Sequence, residues 1–258
     1  MSHINNLILV YMNGQMVNWY EIMPKKFLNT SHNPNIDYHG IKIPSRHLIV
    51  GGSGTGKTTV LLSMVKAFSD KTKNKKGVGT FKNVWVFCKS DDEPIYRYMK
   101  SLSPQIHIYE GLSQLDLKKF DNKYEQNLVV FDDLVLEKNQ KAIEQLYIRG
   151  RKLGGGVTTV YLTQSFFLTP KVIRNNCSYM WILKLAGQRE VSIIMREFAL
   201  GVDKDTLLSI YDYATRQKLM PLMVDLEAPA SQRFRRGIFE PISIQDFIRN
   251  AYSGKIVE

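Results

Sequence analysis

Residues 46–65 read RHLIVGGSGTGKTTVLLSMV. Apolar Leu48, Ile49 and Val50 enter a glycine-rich turn, and Val60, Leu61, Met64 and Val65 leave it with the spacing of a helix face. The turn fits G-x-x-x-x-G-K-[ST] at Gly51, Gly56, Lys57 and Thr58, and a strand before it with a helix after it is the setting in which that pattern makes a phosphate-binding loop. Gly51, Gly52, Gly54 and Gly56 allow backbone angles closed to other residues, so that successive N–H groups can converge on an anion. The helix starting near Lys57 adds its positive end. The nucleotide-contacting set is Gly51, Gly52, Ser53, Gly54, Thr55, Gly56, Lys57, Thr58 and Thr59. Lys57 is expected on the β- and γ-phosphates and Thr58 on Mg²⁺.

Downstream, residues 127–134 read NLVVFDDL. An apolar run ending in paired acids puts Asp132 and Asp133 at the carboxyl end of a buried strand, where open α/β sheets bind ligands. One carboxylate there can hold Mg²⁺ while its neighbour orients or deprotonates a water. Residues 157–162 form the next strand, which ends in Thr163-Gln164-Ser165, so Gln164 is placed beside the γ-phosphate and its water. Together with Lys57 and Thr58 this is a constellation for hydrolysing a nucleoside triphosphate. It still needs a cation for charge developing on the γ-phosphate, and Arg149, Arg151 and Arg174, which flank the Gln164 strand, are the candidates.

The remaining chain alternates short apolar runs with helix-period segments, the pattern of a parallel three-layer α/β/α sandwich. Further strands are expected at 83–88, 106–109, 179–185 and 219–226, and helices at 93–101, 113–120, 138–152, 190–199, 204–214 and 242–252. Residues 7–14 read as a strand and an Asn13-Gly14 turn, followed by an irregular arm containing Pro24, Pro34 and Pro44. The run 231–237 (SQRFRRG) reads as a basic surface turn.

The net charge is +11 and the pI is near 9.5, which favours a polyanionic partner. Five lysines lie in residues 71–82, a solvated connection or a contact to a nucleic-acid backbone. Cys88 and Cys177 lack C-x-x-C spacing and the five histidines are scattered, so a reducing compartment is expected and a zinc site is not. No apolar run is long enough for a bilayer span, and the start MSHINNLILV has no basic leader region, so an unexported chain with no stable transmembrane association is expected.

The segments HLIVGGSGTGKTT, LVVFDDL, RGRKLGGGVTTVYLTQSFF and PKVIRNNCSYMWIL, in that order, resemble the genome-packaging ATPases of nucleocytoplasmic large DNA viruses and their virophage relatives, within the FtsK and HerA superfamily. The resemblance implies a RecA-like P-loop NTPase core with a mostly parallel central sheet. It also implies ATP as substrate, a homo-oligomeric ring around double-stranded DNA, and translocation of a genome into a preformed capsid, with a capsid or portal-vertex protein as a further partner. The setting it implies is the virus factory of the host cytoplasm, with association to the virion. By position, Asp132 resembles the metal-site acid, Asp133 the catalytic carboxylate, Gln164 the sensor, and Arg149 or Arg151 the arginine finger, with Arg174 as a second candidate. Many relatives carry glutamate where Asp133 stands, and the shorter aspartate suits orienting a water better than taking its proton. One domain is expected over 1–258, with an arm at 1–44, the ATPase core at 45–200, and helices and a strand at 201–258. The alternatives are a small nucleotide-kinase-type phosphotransferase and a structural DNA-binding component that binds ATP without hydrolysing it.

Overall fold

The computed structural model describes residues 18–24, 27, 31–185, 187–198 and 201–253. The strand and turn expected at 7–14 lie outside them. The chain divides into Met1–Thr30 and Ser31–Glu258. In the first unit, one helical turn, α1 (Trp19–Ile22), carries Glu21, which accepts a hydrogen bond from Asn18 at 2.8 Å. The sheet and its helices belong to the second unit.

Among the described residues, nine strands form one sheet: β1 (Arg46–Val50), β2 (Asn83–Cys88), β3 (Ile106–Glu110), β4 (Asn127–Asp132), β5 (Val157–Thr163), β6 (Tyr179–Ile182), β7 (Leu222–Asp225), β8 (Phe234–Arg236) and β9 (Glu240–Pro241). Their order is β3-β2-β4-β5-β1-β6-β7-β8-β9. All pairings from β3 to β6 are parallel, and β7, β8 and β9 add antiparallel strands beyond β6. A parallel sheet needs cover on both faces, and the sequence supplies it through continuous apolar runs instead of alternation. β1 and β5 are buried at every position, and β4 at all but Asp132.

Successive residues of β1 serve opposite faces. Leu48 and Val50 join a core with Val129, Phe131 and Tyr161, whereas Ile49 joins another with Leu128, Val130 and Val160. The second face is closed by α3 (Lys57–Ser69), through Leu61, Met64 and Phe68, and by α4 (Pro94–Leu102), through Tyr96 and Met99. The first is closed by α5 (Gln140–Arg149), α6 (Lys171–Asn175), α7 (Gln188–Glu197), α8 (Lys204–Thr215) and α9 (Ile244–Ser253). α2 (Ile36–His39) also docks on α3, where its His39 meets Phe68 edge-on at 4.5 Å. Each buried Val, Leu, Ile or Phe contributes about 1.5–3 kcal/mol, so the strands under the phosphate loop are firmly held. The architecture is the expected RecA-like α/β/α sandwich with a mostly parallel sheet.

Several local expectations change. The basic turn at 231–237 contains β8, and the strand expected from 219 starts only at Leu222 because Pro221 cannot donate a ladder hydrogen bond. The helix expected over 113–120 is a short 3₁₀ turn, Leu117–Phe120, capped by Asp116 accepting from the Lys118 N–H. The helix expected over 138–152 ends at Arg149 and continues as a 3₁₀ turn, Gly150–Lys152.

Candidate functional site

The loop leaves β1 at Gly51, whose N–H donates to the Thr163 carbonyl at 3.2 Å, while the Gly52 N–H donates to the Lys184 carbonyl at 3.3 Å. The loop is therefore tied to the ends of both strands beside β1. Gly51 has no room for a side chain, since a Cβ there would lie 2.6 Å from Thr55 Oγ1 and 2.7 Å from Leu183 Cβ. Gly56 is excluded from substitution twice, by φ +106° and by Leu219 Cδ2 only 2.4 Å from a Cβ. The helix that follows, α3, begins at Lys57 with no side-chain cap on its first N–H groups. An uncapped N-terminus behind a glycine loop leaves its donors and dipole for an anion. The Lys57 ammonium spans the loop and donates to the carbonyls of Gly51 at 3.0 Å and Gly52 at 3.1 Å. Partial burial lowers its pKa, against the opposing pull of Asp132 and Asp133.

β5 lies between β1 and β4, so the end of β5 separates the phosphate loop from the acids. Asp132 closes β4 opposite Leu162 of β5 and Cys88 of β2. Burial raises its pKa, with Asp133 and Glu93 adding to the effect and the Tyr96 hydrogen bond and Lys57 opposing it. Asp133 turns out of the strand with φ 55°, a left-handed conformation that few non-glycine residues adopt, while its N–H still donates to the Leu162 carbonyl at 3.1 Å. Gln164, exposed at the end of β5, donates from Nε2 to Asp133 Oδ2 at 3.1 Å. The structure thus groups Lys57, Asp132, Asp133 and Gln164 at the carboxyl edge of adjacent parallel strands.

One member of this group escaped the sequence. Tyr96, fully buried on α4, donates its hydroxyl to Asp132 Oδ2. Both burial and the adjacent carboxylate push the phenol pKa up, so the oxygen keeps its proton and remains a donor. Cys88, across the ladder from Asp132, is pushed up to about 12 by burial, with Asp132 the next cause. A tyrosine on the apolar face of a helix carries no sequence signal beyond core packing.

The arginines are arranged differently. Arg149 ends α5, whose first residue, Gln140, bonds the Leu134 carbonyl beside the acids. A ten-residue helix is roughly 15 Å long. The start of β1 leads to the same place, because Arg46 donates to the Tyr147 carbonyl at 3.5 Å and Arg151 lowers its pKa, after desolvation. Arg149 and Arg151 therefore sit at the opposite end of the sheet from the phosphate loop of their own chain. Arg174 is engaged by Glu197 in an ion pair, with its guanidinium 4.8 Å from the centre of the Phe166 ring.

The basic residues near β8 are also structural. Arg235 donates to the carbonyls of His39 at 2.9 Å and Gly40 at 3.3 Å, and Arg236 to Gln217 at 2.9 Å and Glu240 at 3.4 Å. Both arginines latch the sheet extension in place. Lys71, Lys73, Lys75 and Lys76, by contrast, stand exposed on the loop between α3 and β2.

The fold and this edge define a P-loop ATPase. Residues 38–222 match the family described as Poxvirus A32 protein, and the chain belongs to that family. The family is viral, which sets the chain in an infected cell or its virions. No curated protein matches the sequence. Among solved structures, the DNA-packaging ATPase B204 of Sulfolobus turreted icosahedral virus is 12% identical with a TM-score of 0.51, covering 80% of this chain and 98% of that one. The packaging NTPase B204 of Sulfolobus turreted icosahedral virus 2, in complex with AMPPCP, is 14% identical with a TM-score of 0.50, covering 75% and 96%. EssC (ATPases 2 and 3) of Geobacillus thermodenitrificans is 11% identical with a TM-score of 0.51, covering 81% of this chain and 42% of that one, so the chain spans less than half of EssC. At these identities the likeness is one of fold. Among the described residues, no helix is long and apolar enough to cross a membrane.

Proposed function

We propose that this protein hydrolyses ATP to translocate double-stranded DNA, packaging a viral genome into a preformed capsid as a homo-oligomeric ring in the host cytoplasm. The observation that carries the hydrolytic reading is the position of β5 between β1 and β4, which sets Gln164 against Asp133 beside the phosphate loop. A nucleotide-kinase-type phosphotransferase usually has its acidic strand directly beside the phosphate-loop strand, and here that neighbour is β5. Family membership and the net charge of +11 support DNA as the polymer moved. The lysine loop at 71–82 is a contact for its backbone.

The donor set fits Mg²⁺. Asp132 is a carboxylate whose desolvation a cation would offset, and Thr58 adds a hydroxyl from the first turn of α3. Bound Mg²⁺ and ATP supply the phosphoanhydride and a charge that neutralises the phosphate oxygens. The chain's own residues then divide the work. Lys57 and the N–H groups of residues 51–59 hold the phosphates, Tyr96 fixes Asp132, and Asp133, aimed by Gln164, orients the attacking water. Arg149 or Arg151 completes the site from a neighbouring subunit, because within one chain both lie at the far end of the sheet. A capsid or portal-vertex protein would seat the ring.

The test is ATP turnover by the full chain with and without duplex DNA. Turnover should rise with DNA, Lys57→Ala should abolish nucleotide binding, and Asp133→Asn should keep binding while lowering kcat about 100-fold or more. A rate indifferent to DNA, in assembled rings as in monomers, would remove the motor. Phosphate transfer to nucleoside monophosphates would replace it with a kinase. Binding without turnover in every oligomeric form would replace it with a clamp.

A further inference from the structure

Leu219 has φ 70° and, with Asp133, is one of two non-glycine residues with positive φ among those described. Leu219 lies against the phosphate loop at Gly56, and Asp133 lies one strand away, at the end of β4. Leu219 lies over Gly56, yet the residue is 42% exposed, so core packing does not account for its strained backbone. Two cavities are lined by it. One, of about 140 Å³, touches the loop at Gly54 and Thr55. The other, of about 320 Å³, is lined by Val60 and Ser63 of α3, by Trp181, and by Phe239 beyond β8. Both share Leu219 and Met220.

We propose that this groove, from Gly54 past Leu219 to the larger cavity beside Phe239, holds the purine base of the nucleotide. The inference rests on reading residues 51–59 as a triphosphate site. Its first support is reach. Phosphates held at the start of α3 end near Thr59, and Ser63 lies four residues on, roughly 6 Å along the axis, the span of a ribose with the near edge of its base. Its second support is chemistry, because Leu219 and the 53%-exposed Phe239 offer apolar faces to a flat ring. Glu240 lines the larger cavity and Gln217 the smaller, both held in place by Arg236.

The third support is rigidity. The Gly237 N–H donates to the Pro221 carbonyl at 2.9 Å, the Met220 N–H to Gln217 at 3.2 Å, and Arg236 clamps Gln217 to Glu240. The antiparallel extension then acquires a purpose that the phosphate loop does not give it, since β8 and the turn after it build the far wall of the slot.

The test compares ATP with inorganic tripolyphosphate, which has the phosphates without the base, on the full chain by calorimetry. Wild type should bind ATP about tenfold or more tightly than tripolyphosphate, and purine triphosphates more tightly than pyrimidine ones. Ser63→Trp fills the larger cavity from an exposed helix position, and Phe239→Ala removes one apolar face. Each should weaken ATP roughly tenfold and leave tripolyphosphate unchanged, and the unchanged tripolyphosphate affinity also reports an intact fold. Equal affinity of wild type for ATP and tripolyphosphate, or ATP affinity indifferent to both substitutions, overturns the base site. Tripolyphosphate binding that survives Lys57→Ala instead overturns the phosphate site on which the inference rests.

Discussion

Tyr96 is a core residue by every sequence criterion, but its hydroxyl is committed to the carboxylate that closes β4. Tyr96→Phe removes one oxygen from a buried site and leaves the ring packing intact. Outer partners of metal-ligating groups typically matter 10- to 100-fold. The variant should therefore lose about that factor in kcat and need more Mg²⁺ for half-maximal turnover, while its thermal midpoint changes little. A Mg²⁺ titration of ATP turnover, read beside a melting curve, checks both. The loop glycines separate in a comparable way. A Cβ at Gly54 meets nothing within 4 Å, so Gly54→Ala carries only the left-handed backbone cost, about 1–2 kcal/mol. Gly56→Ala adds the collision with Leu219 and should cost roughly 1–3 kcal/mol more, part of which Leu219→Ala should restore in the double variant. Urea unfolding of the four proteins measures the coupling, and additive costs would show that Leu219 does not press on the loop.

At the scale of elements, β1 and α2 are each rooted by a neutral histidine. His47 Nδ1 accepts from the Trp181 indole at 3.1 Å, which assigns the proton to Nε2, facing Ser45 Oγ at 2.8 Å. His39 Nδ1 accepts from the Ile41 N–H at 3.0 Å. Burial is the main cause that lowers their pKa values, His39 to about 4, with Arg235 helping, and His47 to about 3, with His39 helping. The unfolded chain takes up these protons near pH 6.5 and the folded chain does not. The contribution of these two histidines to stability is thus present above pH 6.5 and falls, as pH drops toward 4, by about 1.4 kcal/mol per unit for each. Denaturant midpoints at pH 7 and pH 5 read this slope, and His39→Gln should flatten it by roughly half. Which elements could be read in advance follows from the same packing. β1, β4 and β5 are buried on both faces, so their apolar runs stand out, and the glycine pattern fixes the turn after β1. β8 and β9 are short and polar at most positions, and exist because β7 offers them an edge, a long-range cause that local pattern does not carry. The arginines at 233, 235 and 236 read as a basic surface turn in one dimension and prove to be hydrogen-bonded latches in three. In the site, the residues held by motif spacing were legible, whereas Tyr96 and Leu219 arrive from other elements and were not.

For the whole molecule, the decisive fact is distance. Arg149 and Arg151 lie about 15 Å or more from the phosphate loop of the same chain, the length of α5 and of β1, so neither can meet a γ-phosphate held there. Head-to-tail contacts that close into a ring bring one face of a subunit against a different face of the next, an arrangement of identical chains that sets the far end of one sheet beside the near end of another at every interface. A finger supplied in this way is worth 10³–10⁵ in kcat in other P-loop enzymes. The double variant Arg149→Ala/Arg151→Ala should therefore bind ATP normally and turn over at least about 1,000-fold more slowly. Lys57→Ala fails for the opposite reason, since it keeps its arginines and loses its phosphate site. Mixing the two inactive proteins restores complete sites wherever an intact loop faces an intact arginine pair. DNA-stimulated turnover should reappear in the mixture, rise with total protein concentration as rings assemble, and be absent from each protein alone. A mixture as inactive as its components, under conditions where both assemble, would move the missing cation back to Arg174 of the same chain, and releasing it by Glu197→Gln would then be the change that alters the rate.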